Sequence, residues 1–288
     1  MLSRVERVQL VVRDRQDAVR LWQELFGARL VGEDTSAVLN AHRTTVQAGI
    51  SFFEFLEPAG SGPVQDFATR WGEGLFGAGF CTPSLLDMKR HFISQEVPYV
   101  EENRALYVDG SQTHGMPVVI TEERPIEPVG DIRGLYEVTN VVDDWQDTAA
   151  LYTRMFDLDP TKFHHIESRR YGYRGTLTLF DPPRRLDRIE ITQTIPGSGA
   201  MDRFFQRRGP SLYMCYLEMD DVLLLANRLR ERNLRFAAGE DRPVEAGLFI
   251  HPSSLHGLLL GVSRTNYAWV WSGHPELAGE GAEAYAGN

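Results

Sequence analysis

Apolar and polar positions along this chain fall into a pattern that occurs twice. Near the N-terminus an apolar run, Val8 to Val12, leads into Asp14-Arg15-Gln16-Asp17-Ala18-Val19-Arg20-Leu21-Trp22 and on to Phe26. In the middle, Val138 to Val142 leads into Asp144-Trp145-Gln146-Asp147-Thr148-Ala149-Ala150-Leu151-Tyr152 and on to Phe156. Asp, Gln, Asp, Leu, a large aromatic and Phe recur at an offset of 130 (144 minus 14). An apolar strand, a carboxylate at the turn and an amphipathic helix give such a pattern. Val19, Leu21, Trp22, Leu25 and Phe26 make one face of the first helix.

The same reading extends along the chain. The first unit has strands Val5–Val12, Ala28–Gly32, Arg43–Ala48 and Ile50–Leu56 around that helix. Gly60-Ser61-Gly62-Pro63 reads as a linker. In the second unit, strand Phe76–Cys81 precedes a helix opened by Ser84-Leu85-Leu86-Asp87, with capping-box spacing, and running to Val97. Strands Tyr99–Glu101, Ala105–Val108 and Pro117–Ile120 complete it, and Arg124 to Gly130 reads as a domain linker. The third unit places strands Leu135–Val142, Phe163–Glu167, Gly175–Phe180 and Arg188–Thr192 around the Asp144 helix. The fourth has strand Ser211–Met219, helix Val222–Asn233, and strands at Phe249-Ile250 and Leu258–Val262. A second echo joins units two and four: Ser111-Gln112-Thr113-His114-Gly115 matches Ser253-Ser254-Leu255-His256-Gly257. Strand-helix-strand-strand-strand thus occurs four times. One such unit cannot bury both faces of its sheet, whereas two together make a curved half-barrel. The fold class expected is α+β, with four βαβββ modules paired into two half-barrel domains. The domains span 1–123 (modules 5–58 and 75–122) and 131–265 (modules 134–195 and 210–264). A tail, 266–288, holds Trp269 and Trp271 and ends in a Gly/Ala/Glu segment expected to be mobile.

Composition narrows the partners. The chain of 288 residues is 42% hydrophobic and 24% charged, the balance of a soluble globular protein. Its net charge of −10, with basic residues scattered, argues against nucleic acid. No apolar run reaches the ~18 residues of a membrane span. The N-terminus lacks a signal-peptide apolar segment, and Cys81 and Cys215 form no CxxC. A cytoplasmic location is the default expectation.

The element order and motifs resemble the vicinal oxygen chelate superfamily. It includes glyoxalase I, methylmalonyl-CoA epimerase, type I extradiol dioxygenases and bleomycin-resistance proteins. The resemblance covers about Val5 to Arg264. It rests on the two strand-Asp-helix segments, on Phe53-Glu54-Phe55-Leu56-Glu57-Pro58, and on Ile250-His251-Pro252-Ser253-Ser254-Leu255-His256-Gly257. Two full modules per half resemble the dioxygenase layout, in which the C-terminal half is catalytic. The resemblance implies a divalent metal held by His, Gln or Glu on the first and last strands of paired modules, with open positions for a chelating substrate.

Counting back from each turn carboxylate tests that implication. Asp14 places the first ligand position at Arg7, a cation, while the fourth-strand position is Glu54. The second unit offers Gly77 and Val119. An Arg7–Glu54 pair is expected, with a cation where an ion would sit. In the C-terminal half, Asp144 places the first position at Glu137, and the fourth strand offers Glu190. Met214 and Gly261 fill the remaining positions, and a one-residue slip brings in Tyr213 or Tyr136 but no His. No cofactor is therefore expected, and any divalent metal would rest on Glu137 and Glu190.

Those two carboxylates would face each other in a cavity. Like charges held close raise one pKa, so one Glu could act as general base near neutral pH. The plainer reading pairs one of them with Arg170, Arg174 or Arg188, or turns it to solvent. Tyr213 and His256 are the auxiliary candidates. Arg7, Glu54, Tyr136, His251 and Cys215 are candidates for ligand contact. His114 and His256 can equally be turn residues. His164 and His165 cannot share a site from a regular strand, since neighbours point to opposite faces. Three functions follow: a metal-independent lyase or isomerase acting on a small carbonyl or aromatic metabolite, a non-catalytic small-molecule binding or resistance protein, or a metal-dependent dioxygenase or glyoxalase. A homodimer is compatible with each.

Overall fold

A computed structural model describes residues 1–197, 199–238 and 243–279. Local chemistry explains where the repeated segments begin. The first strand, β1 (Arg4–Val11), ends before Asp14, whose carboxylate accepts from the Asp17 amide and caps α1 (Arg15–Phe26). Gly27, at φ +65°, closes the helix in the left-handed conformation that glycine tolerates best. Asp144 likewise accepts from the Gln146 and Asp147 amides at the start of α4 (Trp145–Phe156). The buried faces correspond residue for residue: Ala18, Val19, Trp22, Leu25 and Phe26 in α1, and Thr148, Ala149, Tyr152, Met155 and Phe156 in α4.

The strands β2 (Arg29–Ser36), β3 (Ala41–Ala48) and β4 (Ser51–Pro58) complete the first module. The second comprises β5 (Gly74–Thr82), α3 (Leu85–Ser94), β6 (Val100–Glu102), β7 (Ala105–Val108) and β8 (Val118–Glu122). Together they make one eight-stranded sheet in the order β2-β3-β4-β1-β5-β8-β7-β6. The second half repeats this with β9 (Ile132–Val141), α4, β10 (Phe163–Ser168), β11 (Tyr173–Leu179) and β12 (Arg188–Thr194), then β13 (Ser211–Met219), α6 (Val222–Glu231), β14 (Phe236–Ala238), β15 (Gly247–Ile250) and β16 (Leu259–Arg264). Its order is β10-β11-β12-β9-β13-β16-β15-β14. Each sheet curls into a half-barrel, so the fold is α+β as read from the sequence.

Two helices stand outside that reading. Gly60 to Gly62 form the turn after β4, but Pro63 opens α2 (Pro63–Trp71), where proline's missing amide costs nothing. The second, α5 (Gly199–Arg208), occupies the matching place before β13. Strand β2 also runs four residues beyond its expected end at Gly32, while the α3 and α6 helices stop at Ser94 and Glu231, short of Val97 and Asn233.

The helix-packed faces of both sheets meet in one continuous core, in which Trp22, Phe53, Phe80, Tyr152 and Phe156 are buried. Helix α1 packs on α6, and α3 on α4, so each half supplies helices to the other. The two His-Gly loops join the halves reciprocally. A Cβ on Gly115 would lie 1.9 Å from the Pro210 carbonyl oxygen, and one on Gly257 would lie 2.4 Å from that of Glu73. Each contact crosses to the loop before the central strand of the other half, and only glycine allows that approach at φ +87° and +80°.

On the concave face of the first half, Val11, Leu56, Phe76, Tyr107 and Val119 pack under Val64 and Phe67 of α2. In the second half the chain folds back after β16. Tyr267, Ala268 and Trp269 are buried against Tyr136, Leu177, Leu179 and Leu186. The Gly/Ala/Glu end expected to be mobile lies outside the described residues. Among the described residues no helix is long and apolar enough to cross a membrane.

Candidate active site

The concave centre of each half is charged, and the two halves solve that problem differently. In the first, Arg7 and Gln9 of β1 face Glu54 of β4. Arg7 Nη1 donates to Glu54 Oε1 at 2.5 Å, and Gln9 Nε2 donates to Oε2 at 2.8 Å. Arg43 Nη1 lies 3.8 Å from Oε2 and also donates to the Tyr107 hydroxyl. Arg7 further donates to Glu6. Glu54 is thus saturated by two guanidinium groups and an amide. Gly77 and Gly79, which supply no ligand, leave the space that Gln9 and Arg7 fill, since a Cβ there would collide with those side chains.

In the second half the charges are exchanged between strands. The parallel register sets Arg188 of β12 beside Glu137 of β9, and Glu190 beside Thr139. A bulge in the β9–β13 ladder between Tyr216 and Leu217 lets neighbouring Tyr136 and Glu137 both reach the concave side. Arg188 Nε donates to Glu137 Oε2 at 2.6 Å, with both side chains essentially inaccessible. The guanidinium also lies over the Tyr136 ring, 4.8 Å from its centroid. Glu190 accepts from the Thr139 hydroxyl at 2.9 Å, and Glu137 lies close enough for its charge to act on it. Glu137 Oε1 is buried with no donor placed on it among the described residues. Burial, and then the negative charge of Glu137, push the Glu190 carboxyl well above the usual range. Glu190 is 8% exposed, so the pair is buried but not sealed.

Tyrosines surround it. Tyr216 packs on Tyr136 (ring centroids 5.8 Å apart), Phe249 (5.7 Å) and Trp271 (6.3 Å). Gly261, read from the sequence as a lost ligand, is where the Tyr216 ring lies. Tyr213 stands at the rim against Phe204 of α5, with centroids 5.0 Å apart. Burial pushes its phenol up and the Glu190 carboxylate adds to the shift, while Arg203 opposes it.

The structure therefore brings together Glu137, Glu190, Tyr136 and Tyr213, and leaves the other candidates elsewhere. Cys215 is fully buried on the helix-packed face, in the core rather than at a ligand surface. His251 is exposed, and its ring caps its own turn by accepting from the Ser253 amide. His256 sits at the seam between halves, with Nδ1 3.1 Å from Glu73 and the ring near Trp22, apart from the carboxylate pair. His114 bonds Thr148 of α4 at the mirror-image position. His165 stacks on Trp145 on the outer face, while His164 faces inward beside Gly273. Thr139 was not singled out from the sequence. It follows from strand alternation, lying two residues from Glu137.

A divalent metal does not fit these positions. Arg7 and Arg43 neutralise Glu54, Arg188 neutralises Glu137, and among the described residues no group of three or more His, Cys, Asp or Glu could hold a metal ion.

No protein-family model matches the chain, and no curated protein matches it in sequence. Solved structures do. A mutant of 4-hydroxymandelate synthase from Streptomyces coelicolor superimposes with a TM-score of 0.67 at 15% identity, covering 92% of this chain and 93% of that one. Methylmalonyl-CoA epimerase from Mycobacterium tuberculosis matches 48% of this chain and 92% of its own length, at 21% identity and a TM-score of 0.41. The first match spans both halves in a single superposition. The chain therefore shares the fold of that synthase, with four βαβββ modules joined into two half-barrels in one polypeptide.

Proposed function

We propose that the C-terminal half-barrel catalyses metal-independent proton transfer on a small carbonyl or aromatic metabolite, in the manner of a lyase or isomerase. The observation that carries this is the Glu190–Glu137 pair, two buried carboxyl groups brought together beside a single guanidinium. Arg188 pairs with Glu137, and burial together with the Glu137 charge raises the Glu190 carboxyl. Glu190 then holds its proton to higher pH than an ordinary carboxyl. It can donate a proton to an oxygen developing negative charge, or return from its ionised form as a base. Thr139 fixes its orientation. Tyr213 at the rim and the ring of Tyr216 would hold a flat substrate, and the apolar C-terminal segment limits water.

The test uses wild type and Glu190→Gln. Small ketones, keto acids and phenols are incubated with each protein in deuterated water, and C–H exchange is followed by proton NMR. Exchange should be accelerated by the wild type alone, while ligand-induced melting shifts persist in the variant. Equal exchange in both proteins would remove Glu190 from the reaction. A second reading is favoured by the buried Tyr267–Trp269 segment, which fills much of the concave face. In that reading the half-barrel binds a flat ligand without chemistry, and the ligand is recovered unchanged.

A further inference from the structure

Arg208, the last residue of α5, carries no described acid partner. The guanidinium lies at the seam where α5 of the second half meets α2 of the first. Its central carbon is 5.3 Å from the Phe67 ring, 5.0 Å from Trp71 and 5.1 Å from Phe204. Nε is buried without a hydrogen-bond partner. Arg208 and all three rings are half-buried, so the cluster stays open to solvent on one side. Arg70 lies over the same indole at 4.6 Å. Burial and the neighbouring Arg207 cation hold the Arg208 guanidinium down, to about 10, so it remains charged at neutral pH.

The combination is unusual for this chain. Most of its other buried or half-buried arginines, Arg4, Arg7, Arg15, Arg43, Arg185, Arg188 and Arg228, have carboxylate partners. With a net charge of −10, acids are in excess. Here positive charge gathers on aromatic faces and no described acid answers it. A flat guanidinium edge offers two parallel N–H donors, the geometry a carboxylate accepts best. The partly open rings beside it offer stacking surface.

We infer that Arg208, with Phe67, Trp71 and Phe204, forms a binding site for an organic anion whose carboxylate is attached to an aromatic or conjugated group. The carboxylate pairs with the guanidinium edge and the flat group rests against the rings. The site belongs to the seam between the halves. It lies apart from the Glu137–Glu190 pair, with Phe204 touching both Arg208 and the Tyr213 ring.

Phenylacetate and its neutral amide are titrated into the full chain by calorimetry, so no outcome depends on turnover. Phenylacetate should bind saturably and the amide should not. Arg208→Gln should weaken phenylacetate by about tenfold or more, the loss expected of one charge-assisted pair. No saturable binding, equal binding of the amide, or unchanged affinity in Arg208→Gln would overturn the site. Should Arg208→Gln fail to fold, Arg208→Lys replaces it. That variant keeps the charge but loses the two-donor edge, so weakened binding supports the site and unchanged binding refutes it.

Discussion

Replacing Glu190 by Gln should make the protein more stable at neutral and alkaline pH, even as it removes the proposed acid. The glutamine keeps the shape of a neutral carboxyl. Its amide N–H can donate to Glu137 Oε1, the buried atom without a placed donor, and its carbonyl can accept from Thr139. In the wild type the folded state holds a proton on Glu190 that the unfolded chain releases near the ordinary Glu value, about 4.3. Where the native state binds the extra proton, stability falls as pH rises, by about 1.4 kcal/mol per pH unit. The fall begins near the unfolded value and stops at the raised folded value. The variant lacks this loss, so the difference between the two proteins should widen with pH across that window. Urea unfolding followed by circular dichroism, at steps between about pH 5 and 8, reads it directly. Other carboxyls that titrate, such as Asp187 and Glu218, are common to both proteins and cancel. Infrared spectroscopy gives a second view: a neutral carboxylic acid band at pH 7 present in the wild type and absent from the variant. Parallel stability curves, or a variant less stable at high pH, would mean that Glu190 is ionised in the folded state. Burial and the Glu137 charge would then not suffice to hold a proton on Glu190.

Three further outcomes follow from the same packing. Arg188→Met should cost about 3–5 kcal/mol in chemical denaturation, because it strands Glu137 as an unpaired buried charge; adding Glu137→Leu should restore much of that loss. Gly115→Ala and Gly257→Ala should each lower the melting temperature, since the left-handed backbone alone costs about 1–2 kcal/mol and each new Cβ meets a carbonyl of the other half; an unchanged melting curve would refute the reciprocal contact. Dialysis against a chelator should leave the melting temperature unchanged, because guanidinium groups already hold Glu54 and Glu137, and a stoichiometric divalent ion in the purified protein would contradict that arrangement.

The two helices missed from the sequence carried a readable signal. Val64, Phe67, Ala68 and Trp71 have helical spacing after Pro63, as do Met201, Phe204, Phe205 and Arg208. Attention to Gly60–Pro63 as a break concealed the first, although proline is favoured at the first helical position. These helices matter, because they cover the concave faces and frame Arg208. Arg188 was also within reach. It lies two residues before Glu190 on one strand, hence on the same face, but nothing local shows which carboxylate it meets.

Local sequence determined the repeated units: the Asp14 and Asp144 caps, the matching apolar faces of α1 and α4, and the strands that follow. Those features depend on residues within a turn or two of one another, so period and capping chemistry suffice to read them. The carboxylate at each fourth strand, Glu54 and Glu190, was likewise visible from position alone. Tertiary structure alone decided the rest. The Arg188–Glu137 bond joins residues 51 apart through a parallel register. The bulge that turns both Tyr136 and Glu137 inward exists only in the paired ladder. The His-Gly motifs proved to be contacts between halves, and the C-terminal tryptophans fill a concave face formed by strands far from them in sequence. Long-range register, close backbone approach and burial of charge arise only when distant strands are brought together, and those three set the chemistry at Glu190.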